Sequence, residues 1–161
     1  MVSFIRPGRE RISWLSRSNT VAPGMIQTSP DELSLFVSHG WADPSQHVRR
    51  YAMRTDGFVS VHAKYAMGEL LTKPLTFSGK RLIINFATSA AGSMRVEIQD
   101  VHGKPLPGFS LTDCPEFYGD EIEQRVEWKH GADVSTLAGT PVRLRFVMKD
   151  GDLFSIRFGE E

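Results

Sequence analysis

Two-residue alternation of apolar and polar side chains is the feature that most restricts what this chain can fold into. In SMRVEIQD, Met94, Val96 and Ile98 fall on one side and Arg95, Glu97 and Gln99 on the other. In PVRLRFVMKD, Val142, Leu144, Phe146 and Met148 alternate with Arg143, Arg145 and Val147. In EIEQRVEWK, Ile122, Gln124, Val126 and Trp128 oppose Glu123, Arg125 and Glu127. Successive side chains of an extended backbone point to opposite faces, so this period belongs to strands with one face buried. A 3.6-residue period is almost absent. FVSVHA, GELLTKPLTF, RLIINFAT and DLFSIRFG supply further strand-like runs over 58–63, 68–77, 81–88 and 152–159.

Turn residues separate these runs. Lys149-Asp150-Gly151-Asp152 carries the Asp-Gly signal of a tight two-residue hairpin, and Ala90-Ala91-Gly92-Ser93 reads as a second hairpin turn. GADVSTLAG predicts one short helical turn capped by Asp133 or Ser135. Short strands at this spacing argue for an all-β fold, a jelly-roll-type antiparallel β-sandwich over residues 56–161. Ahead of it, residues 1–23 are rich in Arg, Ser and Pro. GMIQT, ELSLFVSHG and HVRRYAMRTDGF then predict an N-terminal three-strand meander, so that residues 1–55 form an extension and meander of their own. A lone meander leaves unpaired edges, and is expected to pack against the sandwich, a second copy or a larger protein.

Composition narrows the partners. In 161 residues, 19 Lys and Arg balance 19 Asp and Glu, so no global field draws the chain to nucleic acid or to an anionic membrane. One cysteine, Cys114, excludes an intrachain disulfide and multi-cysteine zinc sites. The opening MVSFIRPGRERISW has no apolar run of signal-peptide length, and nothing elsewhere approaches a membrane span, so a soluble chain of unspecified compartment is expected.

The run from DGFVSVHA through TSAAGS, VEIQD, PGFSL, GDEI and PVRLRF, about residues 56–159, resembles a C-terminal β-sandwich module of bacterial proteins related to glycoside hydrolase family 32, the invertase and fructanase group. FIRPGRERISWLSRSN and SPDELSLFVSHGW with VRRYAMR are similar to the last blade of the five-bladed propeller in such proteins. The resemblance implies a non-catalytic accessory module that binds glycan weakly or braces a catalytic propeller domain. In that family a propeller holds a nucleophile and an acid/base carboxylate across the substrate. Its nucleophile motif, of Trp-Met-Asn-Asp-Pro type, finds only an echo in GWADPS (Gly40–Ser45), and neither Arg-Asp-Pro nor Glu-Cys occurs. Catalysis is therefore not expected of the chain by itself. A glycosidase acting on fructosyl or related glycosides is the reading if the chain is part of something longer, and a ligand-free homodimer is the other alternative.

The densest chemistry lies in DCPEFYGDEIEQRVEW, residues 113–128. Glu121, Glu123 and Glu127 alternate with apolar residues and read as a solvated strand face, with Arg125, Arg143 or Arg145 as partners. Asp113, Glu116 and Asp120 precede that strand, where they form either a structural calcium site or a polar loop with Asp120 accepting backbone N–H groups. Cys114 reads as a small buried hydrophobe. His39 and His47 fall on neighbouring strands, yet two histidines make a poor metal site. A Ser/His/Asp triad lacks the support of a G-x-S-x-G elbow. For sugar recognition the candidates are loop aromatics, Trp41 in GWADPSQ and Tyr118 with Phe117 on the acidic loop, beside Asp113, Glu116 and Asp120; Tyr51 and Tyr65 are further rings, and Trp128 belongs to the core face.

Overall fold

In the computed structural model, which describes residues 5–14 and 19–160, the alternating runs pair into antiparallel sheets and the fold is all-β and sandwich-like. Parts of the Arg- and Ser-rich opening, residues 1–4 and 15–18, lie outside the described residues. The chain divides into two compact units, Met1–Thr55 and Asp56–Glu161. Among the described residues no helix is long and apolar enough to cross a membrane.

The first unit is built on β3 (Glu32–His39). Its neighbours are β1 (Thr20–Val21) and β2 (Ile26–Ser29) on one edge and β4 (His47–Arg54) on the other. β1 and β2 lie end to end along β3, Thr20 opposite Ser38 and Ile26 opposite Ser34, so they form one lane of a three-lane meander. Pro23, which lacks an N–H, and Gly24 at φ +87° break that lane. β3 buries Leu35, Val37 and His39 on one face, as its period requires. Before β1, Arg11–Trp14 make a 3₁₀ turn, and the Trp14 indole N–H donates to the Gly8 carbonyl at 2.9 Å.

In the second unit, β5 (Val61–Ala63) and β6 (Gly68–Leu71) follow each other along one edge of β9 (Arg143–Gly159). The other edge of β9 pairs with β7 (Arg81–Gln99), whose first half carries β8 (Asp120–Arg125). Here the expected hairpins are corrected. Neither Ala90–Ser93 nor Lys149–Asp152 reverses the chain, because β7 and β9 run on through both. Residues 89–92 bulge out of β7 between the Thr88–Gly151 and Ser93–Lys149 pairs, opposite Asp150 at φ +43°. A bulge increases local twist and bends a strand, so the ribbon folds over and both halves face one core.

That core takes Leu82, Ile84 and Phe86 from the first half of β7 and Met94, Val96 and Ile98 from the second, all fully buried. β9 adds Leu144, Phe146 and Met148 before the bend and Leu153 after it. A second register shift, where Phe86 meets Leu153 and Asn85 meets Ser155, returns Ile156 and Phe158 to the core side. Phe158 stacks on Phe77 with ring centroids 3.8 Å apart. Trp128 is buried, donates its indole N–H to the Val96 carbonyl at 3.0 Å and meets Phe109 edge-on. The short turn comes where the sequence places it: Ser135–Leu137 is 3₁₀, and Asp133 accepts the Ser135 N–H at 2.8 Å.

Candidate functional site

The acidic loop is pinned to the core at three points. The Cys114 sulfur accepts the Val96 N–H at 3.3 Å, and burial pushes its thiol up to about 11, with the Val96 N–H and the Arg95 charge opposing. At that value the thiolate needed of a nucleophile is not formed near neutral pH. Phe117 exchanges two backbone hydrogen bonds with Met94, each 2.9 Å, and sets its ring edge-on to Phe86. Gly119 exchanges bonds with Thr88, donating to its hydroxyl at 3.0 Å and accepting its N–H at 2.7 Å, with a left-handed φ of +120°. Phe117 is thus core, not a ligand-facing ring as its loop position suggested. Between these anchors Tyr118 stands 77% exposed.

The acids around it separate rather than converge. Asp113 accepts the Ser110 hydroxyl at 2.6 Å and lies 3.7 Å from the Lys129 ammonium. The Ser110 bond first, then the charges of Lys129 and His130, hold its carboxyl below the usual carboxylate range. Glu116 pairs with Arg95 at 2.8 Å across the loop. Asp120 is exposed at the start of β8, opposite Ala87. Among the described residues no group of three His, Cys, Asp or Glu side chains gathers as a metal site. Glu121, Glu123 and Glu127 are exposed, and Glu123 pairs with Arg157 at 2.7 Å instead of the arginines expected from the sequence.

Beside Asp113, a shallow concavity of about 370 Å³ is lined by Phe109, His130 and Asp133. Trp41 belongs to the other unit, in the β3–β4 connection, and is 43% exposed. Compared with known protein families, with curated proteins and with solved structures, the chain has no match.

Two clusters escaped sequence reasoning. Ser60, His62 and Asp152 meet across β5 and β9, but Asp152 sits in the middle: its Oδ1 accepts the Ser60 hydroxyl at 2.7 Å and lies 3.2 Å from His62 Nδ1. A serine hydroxyl that donates to the carboxylate instead of to the imidazole is not in the order of a Ser-His-Asp triad, and the trio ties the start of β5 to β9. The other is a cleft of about 360 Å³ in the first unit, where the segment ahead of β1 meets His39, His47, Arg49 and Tyr51. The His39 and His47 rings stack at 5.4 Å, and Tyr51 shares a hydrogen bond of 3.0 Å with His39 Nε2. The pairing of two histidines was legible in the alternation of the two strands. The arginines that complete the cleft come from Arg6 and Arg9, outside any periodic run.

Proposed function

We propose that the chain is a carbohydrate-associated β-sandwich accessory module, akin to those of family 32-like glycoside hydrolases, that contacts glycan through the loop carrying Tyr118. The observation that carries this reading is the exposure of Tyr118 between anchors that cannot give way. Phe117 is held on Met94 and Gly119 on Thr88, so the backbone that displays the ring needs little ordering on binding. An aromatic face takes the C–H side of a sugar, and the planar Arg95–Glu116 pair offers donors and acceptors for hydroxyls. The concavity at Phe109 and His130 extends the same surface chemistry beyond Asp113.

A glycan-array screen of the purified chain, run in calcium and repeated in EDTA, tests it. Binding is expected in both, and Tyr118→Ala should weaken the best ligand about tenfold, as loss of one stacking contact does. Binding lost in EDTA would assign a calcium ion to the loop of Asp113, Glu116 and Asp120. Silence under both conditions would remove the reading.

A second reading, a homo-oligomerisation module, draws on the outer edge of β5 and β6. Val61 and Leu71 on those strands, with Val59 and Met67 beside them, expose apolar surface on strands that, among the described residues, pair with β9 alone. It predicts a dimer in sedimentation equilibrium that Val61→Lys dissociates; a monomer at all concentrations would discard it.

A further inference from the structure

The cleft of the first unit concentrates positive charge in a chain that has no net charge. Three guanidiniums, Arg6, Arg9 and Arg49, line it against a single carboxylate, Glu10. Among the described residues no carboxylate forms an ion pair with any of the three. Elsewhere several arginines meet acids at short range, Arg50 with Glu32 at 2.7 Å and Arg145 with Glu69 at 2.6 Å among them. Guanidiniums left unpaired around a concavity are the arrangement that recognises tetrahedral and planar oxyanions.

The histidines add donors of the same kind. His47 Nδ1 lies 2.8 Å from the Ser45 carbonyl, which can only accept, so Nδ1 carries a proton and donates there. His39 shares its Nε2 with the Tyr51 hydroxyl. Burial first, then the charges of Arg49 and His47, pushes the His39 imidazolium below the usual histidine range. An anion among these groups reverses that balance, since it favours the charged form of each ring it touches. The volume, about 360 Å³, exceeds a bare tetrahedral ion and falls within the range of small-ligand pockets.

We propose that this cleft is an oxyanion site for a small organic ligand bearing a phosphate or sulfate ester, with Arg6, Arg9 and Arg49 binding the ester oxygens and His39 and His47 completing the shell. Nothing in this assignment depends on Tyr118, which lies in the other unit.

The test is a histidine-detected NMR titration of the whole chain with inorganic phosphate, inorganic sulfate, glucose 6-phosphate and glucose 6-sulfate, at ionic strength fixed with sodium chloride. Saturable shifts are expected at the His39 and His47 rings and not at His102. Affinity should tighten as pH falls, because the His39 ring, whose charged form burial disfavours, gains a proton that the anion favours. Glu10 repels the anion and Arg6, Arg9 and Arg49 attract it, while the Arg49 charge opposes the His39 proton and Tyr51 shares the His39 Nε2. By the same linkage the His39 midpoint moves up with ligand present, a change that a merely structural ring pair would not show. Arg49→Ala and Arg9→Ala should each weaken binding about tenfold or more, while Arg125→Ala in the other unit leaves it unchanged. The preferred sugar ester distinguishes phosphate from sulfate. No saturable shift, or arginine variants that bind like the wild type, would overturn the site. Esters that bind no better than the inorganic ions would overturn the organic ligand.

Discussion

Gly92→Ala is expected to destabilise the sandwich unit by about 3 kcal/mol, the upper range for forcing an atom into a closed contact. A Cβ at this position would stand 2.5 Å from the Asp150 oxygen, 2.7 Å from the Lys149 oxygen and 2.9 Å from the Thr88 Cβ. Two of the three neighbours are backbone, so no side chain can swing aside to make room. Gly92 does not adopt a left-handed φ, and the requirement for glycine is one of space alone. Its counterpart Gly151 is as confined, with the Ala87 oxygen 2.8 Å and Thr88 Cγ2 2.9 Å from where its Cβ would be. Gly68→Ala, whose new methyl would meet Ala63 at ordinary distances, Cβ at 3.4 Å and Cα at 3.9 Å, is the control and should change little. Urea denaturation followed by circular dichroism measures both. Equal midpoints for Gly92→Ala and Gly68→Ala would mean that the bulge relaxes and the crossing is not tight.

Glu97→Ala should cost a similar amount, about 3 kcal/mol, by stranding polar groups away from water. Glu97 lies on the face of β7 opposite Val96 and Ile98 and is only 3% exposed. Its Oε2 accepts the Leu111 N–H at 3.0 Å, and its Oε1 accepts the Gln99 amide at 2.7 Å and approaches Arg145 at 3.4 Å. Arg145 keeps its shorter bonds to Glu69, at 2.6 and 3.1 Å, and so does not depend on Glu97. The loss therefore falls on the buried Gln99 amide and on the loop tied down at Leu111. Glu97→Gln, which preserves an acceptor oxygen, should recover more than half of it. The exposed pair Arg157–Glu123 is the comparison, since screened surface pairs contribute little. A Glu97→Ala protein no less stable than Glu123→Ala would show that the loop does not rely on this carboxylate.

These two positions also show where the sequence stops speaking. The inward residues of SMRVEIQD and PVRLRFVMKD were legible because a two-residue period is a local property, and each lies in the core. Ala90–Ser93 and Lys149–Asp152 were misread for a local reason as well. Asp-Gly favours a left-handed residue, and Asp150 adopts one, but a hairpin and a bulge use that conformation alike. Only the partner strand decides between them, and Gly92 with Gly151 decides it by contact. Glu97 looks like a solvent-facing position until Leu111, 14 residues on, covers it.

The site followed the same pattern. Tyr118 reads as exposed in the sequence and is exposed. Phe117 beside it reads the same and is core, because its backbone pairs with Met94. Asp113, Glu116 and Asp120 are close in sequence, but Ser110, Lys129 and Arg95 draw the first two apart. The cationic cleft depends on Arg6 and Arg9 meeting β3 and β4, a relation between segments that no periodicity encodes.

The folded ribbon of β7 and β9 also governs when the core can exist. Arg81 pairs with Gly159, so the innermost lane of the sandwich joins residues almost eighty positions apart. Phe86 and Val96 have no complete surroundings until Leu153 and Phe146 arrive. During synthesis the meander, whose strands join near neighbours, can form while the rest is still being made. The sandwich must wait for residue 159 to clear the ribosome, and until then β7 has only β8 along half its length and lacks β9 on its other edge. Its nascent chain is for that interval the part of this protein most in need of a chaperone.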